Sequence, residues 1–245
     1  MKKILFLGAL LGLLAQSSYG TITFNSTGTS AGGAAVNASA AITISGSLVT
    51  VTLTDLQANP GGVANLLNGI QLVVSGATGA TGLGASDATA ATVASGGSYT
   101  TASVSGATIA SSWALTSASS TITLTALGGG QPKYLIIGPD STPDFNSGNG
   151  GYTAAGGSIA GNGPHNPFIE NFETFTFSLT GSPSFNETNI TGVTFLYGTS
   201  SDYGSTTRTN ITSVPEPTTI IAGALLLVPM GVQAVRSYRN RKQQQ

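Results

Sequence analysis

The chain has 245 residues with 34 glycines, one histidine, no cysteine, and only eight basic and nine acidic side chains. The lack of cysteine excludes a disulfide scaffold, a thiol enzyme and a cysteine zinc site, and the sparse basic charge excludes a protein that neutralises nucleic-acid phosphates. Polarity comes from hydroxyls instead: 58 of the 194 residues from 21 to 214 are Ser or Thr, and this body sets Lys133 and Arg208 against eight acids, a net charge of −6.

At the N-terminus Lys2 and Lys3 precede an apolar run over 4–15, and the small or polar residues Gln16 to Gly20 follow. This is the order of a secretory signal, with Ser18 and Gly20 placing cleavage after Gly20 and Ala15 and Ser17 as the competing pair. A helix of twelve residues reaches about 18 Å, short of a hydrocarbon core of roughly 30 Å. Residues 1–20 are therefore expected to be a signal peptide and 21–213 a secreted domain.

Within 21–213 apolar and hydroxyl residues alternate with a period of two. Val49, Val51 and Leu53 interleave with Thr50, Thr52 and Thr54; Ile122 and Leu124 with Thr121, Thr123 and Thr125; Phe175, Phe177 and Leu179 with Thr174, Thr176 and Ser178; and Val193, Phe195 and Tyr197 with Thr194 and Leu196. Such runs predict half-buried strands with one dry face and one wet face. Further strands are expected over 21–24, 41–44, 69–74, 99–104 and 133–137, eight or nine in all, with a hairpin turn at Ser45-Gly46-Ser47. Residues 61–68 predict a helical turn or two after Pro60. The Ala, Gly, Ser and Thr tract over 75–97 predicts a mobile loop or a weakly specified pair of exposed strands. The expected fold is all-β, an antiparallel β-sandwich or jelly roll, followed by a single C-terminal transmembrane helix.

Signals for chemistry are sparse. No Gly-x-Ser-x-Gly elbow and no phosphate-binding loop occur, and His165 stands between two prolines as a turn residue. Carboxylate pairs that could serve a glycosidase are Asp140 with Asp144, or Glu170 with Glu173, although solvated loop acids are the ordinary reading of such pairs. The tract from Asp140 through Asp144, Asn146 and Asn149 is rich in oxygen donors but matches no calcium-loop spacing, so an Asx-turn loop is the better reading. No catalytic residue, metal ligand or cofactor is expected, and the protein reads as non-enzymatic.

At the C-terminus Val214-Pro215-Glu216-Pro217 forms a stiff extended tetrapeptide. An uncharged stretch over 218–235 follows and then four cations, Arg236, Arg239, Arg241 and Lys242, in the tail 236–245. Eighteen residues span about 27 Å as a helix, enough for a transmembrane segment at the short end of the range, and the cationic cluster is expected to stop it on the cytoplasmic side. Residues 214–245, in this tripartite order, resemble the PEP-CTERM sorting signal of Gram-negative bacteria. The resemblance implies recognition of Pro215, Glu216 and Pro217 by an exosortase, a membrane-embedded transpeptidase-like enzyme, and removal of the helix and tail at or near the motif. It also implies an association with exopolysaccharide production. Pro229 and Gln233 within the helix, and the dilution of the basic run by Ser237, Tyr238 and Asn240, are mild departures that bear on processing efficiency. A weaker resemblance, to a passenger type found with bacterial sorting signals, is carried by Trp113-Ala114-Leu115, Leu135 to Pro139, Gly156 to Phe168 and Thr174 to Phe177; it implies no activity.

The resulting expectation is an exported protein, first a membrane-anchored precursor and then a structural or adhesive component of the cell surface or extracellular matrix, with no nucleic-acid partner. The alternative is a carbohydrate-binding module without catalytic activity, in which exposed aromatics such as Trp113, Tyr152 or Tyr203 stack on sugar rings.

Overall fold

The computed structural model describes residues 20–30, 33–128, 131–141, 151–182 and 184–199. Residues 1–19, the motif Val214 to Pro217, the apolar stretch 218–235, the cations Arg236, Arg239, Arg241 and Lys242, and also Asp144 and Tyr203 lie outside the described residues. The described chain is all-β. In order it forms β1 (Ile22–Thr29), β2 (Ala35–Ser45), β3 (Leu48–Asp55), β4 (Leu67–Val74), β5 (Ala77–Ala85), β6 (Ala88–Val93) and β7 (Tyr99–Val104). A short helix α1 (Gly106–Ser112) precedes β8 (Ala114–Ala118), β9 (Thr121–Thr125), β10 (Ile136–Ile137), β11 (Phe168–Glu170), β12 (Phe172–Gly181) and β13 (Ile190–Tyr197). The expected 61–68 helix is a single 3-10 turn, Val63–Asn65, because β4 begins almost at once. Among the described residues no helix is long and apolar enough to cross a membrane.

The strands form two sheets. One has the order β1-β2-β3-β12-β5; the other has eight strands, β7-β6-β11-β10-β4-β9-β8 with β13 also on β4. The β2–β3 hairpin closes through Gly46 and Ser47, with Ser45 opposite Leu48. Gly46 has φ 64° while Ser47 stays negative, the pattern of a II′ turn, whose first central position favours glycine.

Alternation turns β2, β3 and β12 each to one dry face. Ile42, Val51 and Phe175 from the five-stranded sheet share a buried cluster with Ile70, Leu72, Leu124 and Phe195 from the other. The eight-stranded sheet is covered on its second face around β6, β10 and β11. Val93, Ile137 and Phe168 pack there with Tyr152 and Ile159 from the segment that precedes β11. Ile136 and Ile169 belong to the first cluster and their neighbours Ile137 and Phe168 to the second, so β10 and β11 are buried on both faces. Double burial is also where the pairing departs from the antiparallel expectation: β10 and β11 run parallel, Ile136 opposite Ile169. A long connection returns β11 beside β10 in the same direction, which no hairpin can do.

Among the described residues thirteen strands stand where eight or nine were expected, and β8 and β11 are two of the additional ones. The others, in different sheets, lie in 75–97, β5 against β12 and β6 between β7 and β11. Small residues give little hydrophobic period, yet the neighbouring strands supply the ladder that holds them.

Candidate binding cleft at the sheet crossings

The chain passes between the sheets twice at one place. It leaves β5 and enters β6 through Ser86-Asp87, and it leaves β11 and enters β12 through Asn171. Asn171 makes the second turn with φ 63°, a left-handed conformation that asparagine tolerates better than most residues. Its N–H donates to Ile137 O at 2.9 Å and its carbonyl accepts from Asp55 N at 2.8 Å, which fixes the corner to both sheets.

Glu173 joins the two crossings. Its side chain is fully buried, and Oε1 accepts from Ser86 N (3.1 Å), Ser86 Oγ (2.6 Å) and Thr174 N (2.8 Å). Oε2 is buried with no hydrogen-bond partner among the described residues. Burial pushes the carboxyl above its usual range, against the lowering effect of those hydrogen bonds. Asp87 caps the start of α1, its Oδ1 accepting Gly106 N–H at 2.8 Å. Gly106 has to be small here, since a Cβ would stand 1.9 Å from Ala85 O.

Beside the crossings opens a cleft of about 530 Å³, a size typical of small-molecule sites. Ser86, Asp87 and Ala88 line one wall, Asn171 and Phe172 another. The lining also includes a polar row across three strands, Ser103, Thr89 and Glu170. Ser103 pairs with Thr89, and Glu170 follows the last β11–β6 pair, Ile169 with Ala90. Phe172 stands at the rim 53% exposed, one of three large hydrophobics the described surface presents.

Glu170 is half-buried, with Oε1 enclosed and unpartnered among the described residues. Burial raises its pKa first, and the neighbouring Asp140 raises it further. Asp140 is 3% exposed, and Tyr99 Oη donates to its Oδ2 at 3.4 Å. The expected carboxylate pairs are thus rearranged: Asp144 lies outside the described residues, while Glu170 and Glu173 fall in different sheets on either side of the Asn171 corner. Asp140 raises Glu170 and Asp87 raises Glu173, and of these four acids Glu170 and Asp87 line the cleft.

Among the described residues no group of three or more His, Asp or Glu is placed to hold a metal ion. His165 sits in its turn with Nδ1 3.1 Å from Pro132 O. Two of the aromatics expected to be exposed are internal. Trp113 is 4% exposed, its Nε1 donating to Tyr134 O at 3.1 Å and its ring 4.4 Å from that of Phe175. Tyr152 is fully buried and donates to Gly138 O at 3.2 Å. Both carry a polar atom that finds a backbone acceptor inside, so an amphipathic ring can fill core space. The accessible aromatic of the cleft, Phe172, was signalled by its even-numbered place with Thr174 and Thr176 on the wet face of β12.

The chain matches no family model, no curated protein and no solved structure.

Proposed function

We propose that this chain is an exported structural or adhesive protein of the cell surface or extracellular matrix, a β-sandwich sorted by a C-terminal signal and without catalytic activity. The observation that carries the reading is the tripartite order at the C-terminus: Val214-Pro215-Glu216-Pro217, the uncharged 218–235, then Arg236, Arg239, Arg241 and Lys242. An exosortase-type enzyme is the processing partner, acting on Pro215, Glu216 and Pro217; the precursor is held in the membrane by 218–235 until it is cut. Exopolysaccharide is the material with which the mature protein associates, as the resemblance implies.

Three features of the body support the reading. Two sheets that share one buried cluster are the arrangement of a sandwich. The strands β1 and β7 each pair on one side only among the described strands and contain no charged residue, so they lack the charges that usually block strand-to-strand association. A glycosidase needs both carboxyls on the substrate, whereas Asp140 is enclosed behind Tyr99.

The test is the intact mass of the protein from its native host. Loss of about 20 N-terminal and about 30 C-terminal residues is the expected result; a mature chain that retains 214–245 refutes the sorting step and leaves a simple membrane anchor.

A second reading, a carbohydrate-binding module, is favoured by the cleft and the exposed Phe172 at its rim. Saturable polysaccharide binding lost on removal of an aromatic side chain selects it over a purely structural role.

A further inference from the structure

We propose that the cleft between the two sheet crossings is a binding site for an uncharged saccharide, with Phe172 as the platform on which a sugar ring stacks. The inference rests on the carbohydrate-binding reading and names its site and ligand class.

The first argument is the combination of shape and one exposed ring. A phenyl group 53% exposed presents an apolar face that a ligand can cover. At the rim of a concave site of about 530 Å³, the group that covers it must be flat and partly apolar. A pyranose ring presents such a face through its C–H groups, and its hydroxyls point outward around the edge.

The second argument is the polar lining. Thr89 and Ser103 bring hydroxyls to the lining, and Asp87, Glu170 and Asn171 bring acceptor oxygens. Asp87 uses Oδ1 on the Gly106 N–H and has Oδ2 left to offer. A ligand that satisfies this set is rich in hydroxyl donors. Glu170 has Oε1 enclosed and without a hydrogen-bond partner among the described residues, an acceptor that a ligand hydroxyl can satisfy.

The third argument is charge. No cationic side chain lines the cleft, two carboxyls do, and the body carries a net charge of −6. Uronates, sulfated sugars and phosphates are therefore repelled.

The fourth argument is rigidity. Glu173 clamps Ser86, and Asn171 is tied to Ile137 and Asp55, so the walls are set before a ligand arrives. A preformed wall lowers the ordering cost of binding.

The experiment is calorimetric titration of the full chain, in a detergent without a sugar headgroup, with uncharged gluco- and galacto-oligosaccharides, oligogalacturonate and spermidine. Saturable binding of an uncharged oligosaccharide is expected, weakened about tenfold in Phe172→Ala and retained in Phe172→Trp. The exposed position of Phe172 predicts an unchanged unfolding midpoint in both variants, so a lost signal reports the site. Binding undiminished in Phe172→Ala overturns this site and leaves the carbohydrate-binding reading standing, whereas no binding by any saccharide overturns both. Equal binding of oligogalacturonate overturns the charge argument, and spermidine binding that displaces the sugar shows the acids to be a cation site.

Discussion

Asp55 and Glu173 each end the dry face of a strand, Asp55 after Val49, Val51 and Leu53, Glu173 ahead of Phe175, Phe177 and Leu179. A carboxyl at such a position must be supplied with hydrogen bonds, and both are. Asp55 accepts from Gln57 N at 2.9 Å and Leu67 N at 3.2 Å, and Gly138 N–H also donates to it. Each acid therefore gathers backbone donors where strands end and loops cross. Glu173→Ala leaves the Thr174 N–H and the Ser86 hydroxyl without their acceptor and is expected to cost about 1–2 kcal/mol in urea unfolding. Glu173→Gln keeps an acceptor at the Oε1 position and should cost less. Equal losses in the two variants would show that the clamp acts through packing alone.

Among the elements, the hairpins and crossings show two different demands for glycine. Nothing lies within 4 Å of where a Cβ on Gly46 would stand, so its requirement is conformational, set by φ 64° in the β2–β3 turn. Gly46→Ala should destabilise by about 1 kcal/mol with the hairpin register kept. Gly106 is the opposite case: its φ is ordinary, but a Cβ would press on the Ala85 carbonyl. Gly106→Ala is expected to cost more, about 3 kcal/mol, because backbone must move at a crossing tied to both sheets. Thermal unfolding of the two variants side by side checks the order; a larger loss for Gly46→Ala would place the strain in the wrong turn. The helix α1 escaped sequence reading for a related reason. Ser105 caps it, accepting from Thr108 N at 3.3 Å, but Ile109 is the only large apolar residue it buries, so there was no stripe to recognise.

At the scale of the molecule, the scarcity of cations reverses the usual response to acid. Burial raises Asp55 and Glu173 above their ordinary values of 3.8 and 4.5, and raises Glu170 as well. An acid whose folded pKa exceeds its unfolded pKa contributes stability that is complete below the unfolded value and is lost as pH rises through the folded one. With Lys133 and Arg208 as the only lysine and arginine of the body, few carboxylate–cation pairs can be lost in exchange. The thermal midpoint should therefore rise as pH falls from 7 toward 4. The double variant Asp55→Asn, Glu173→Gln should flatten that slope; a midpoint that falls on mild acidification would contradict the sign.

Much of this organisation was legible in advance. A period of two placed β3, β9 and β12 and turned their dry faces inward, because a strand half in water must alternate, whereas β13 buries Phe195, Leu196 and Tyr197 in succession. Parity did not place Glu173, expected with Glu170 as a solvated loop acid and found fully buried at the end of the dry face of β12. It could not separate Trp113 and Tyr152 from surface platforms, since an aromatic with a polar tip satisfies either environment. Nor could it place β5 and β6, whose small residues carry almost no period and take their strand form from partners distant in the chain.

By itself the sequence determined an all-β, hydroxyl-faced, acidic body and the order of segments at its two ends, since alternation and charge placement are local properties of the chain. Tertiary structure alone decided the parallel β10–β11 pair, the meeting of the two sheet crossings and the cleft they enclose. Those depend on which distant strands become neighbours, and neighbourhood across the sheets is settled by burial of the whole set at once.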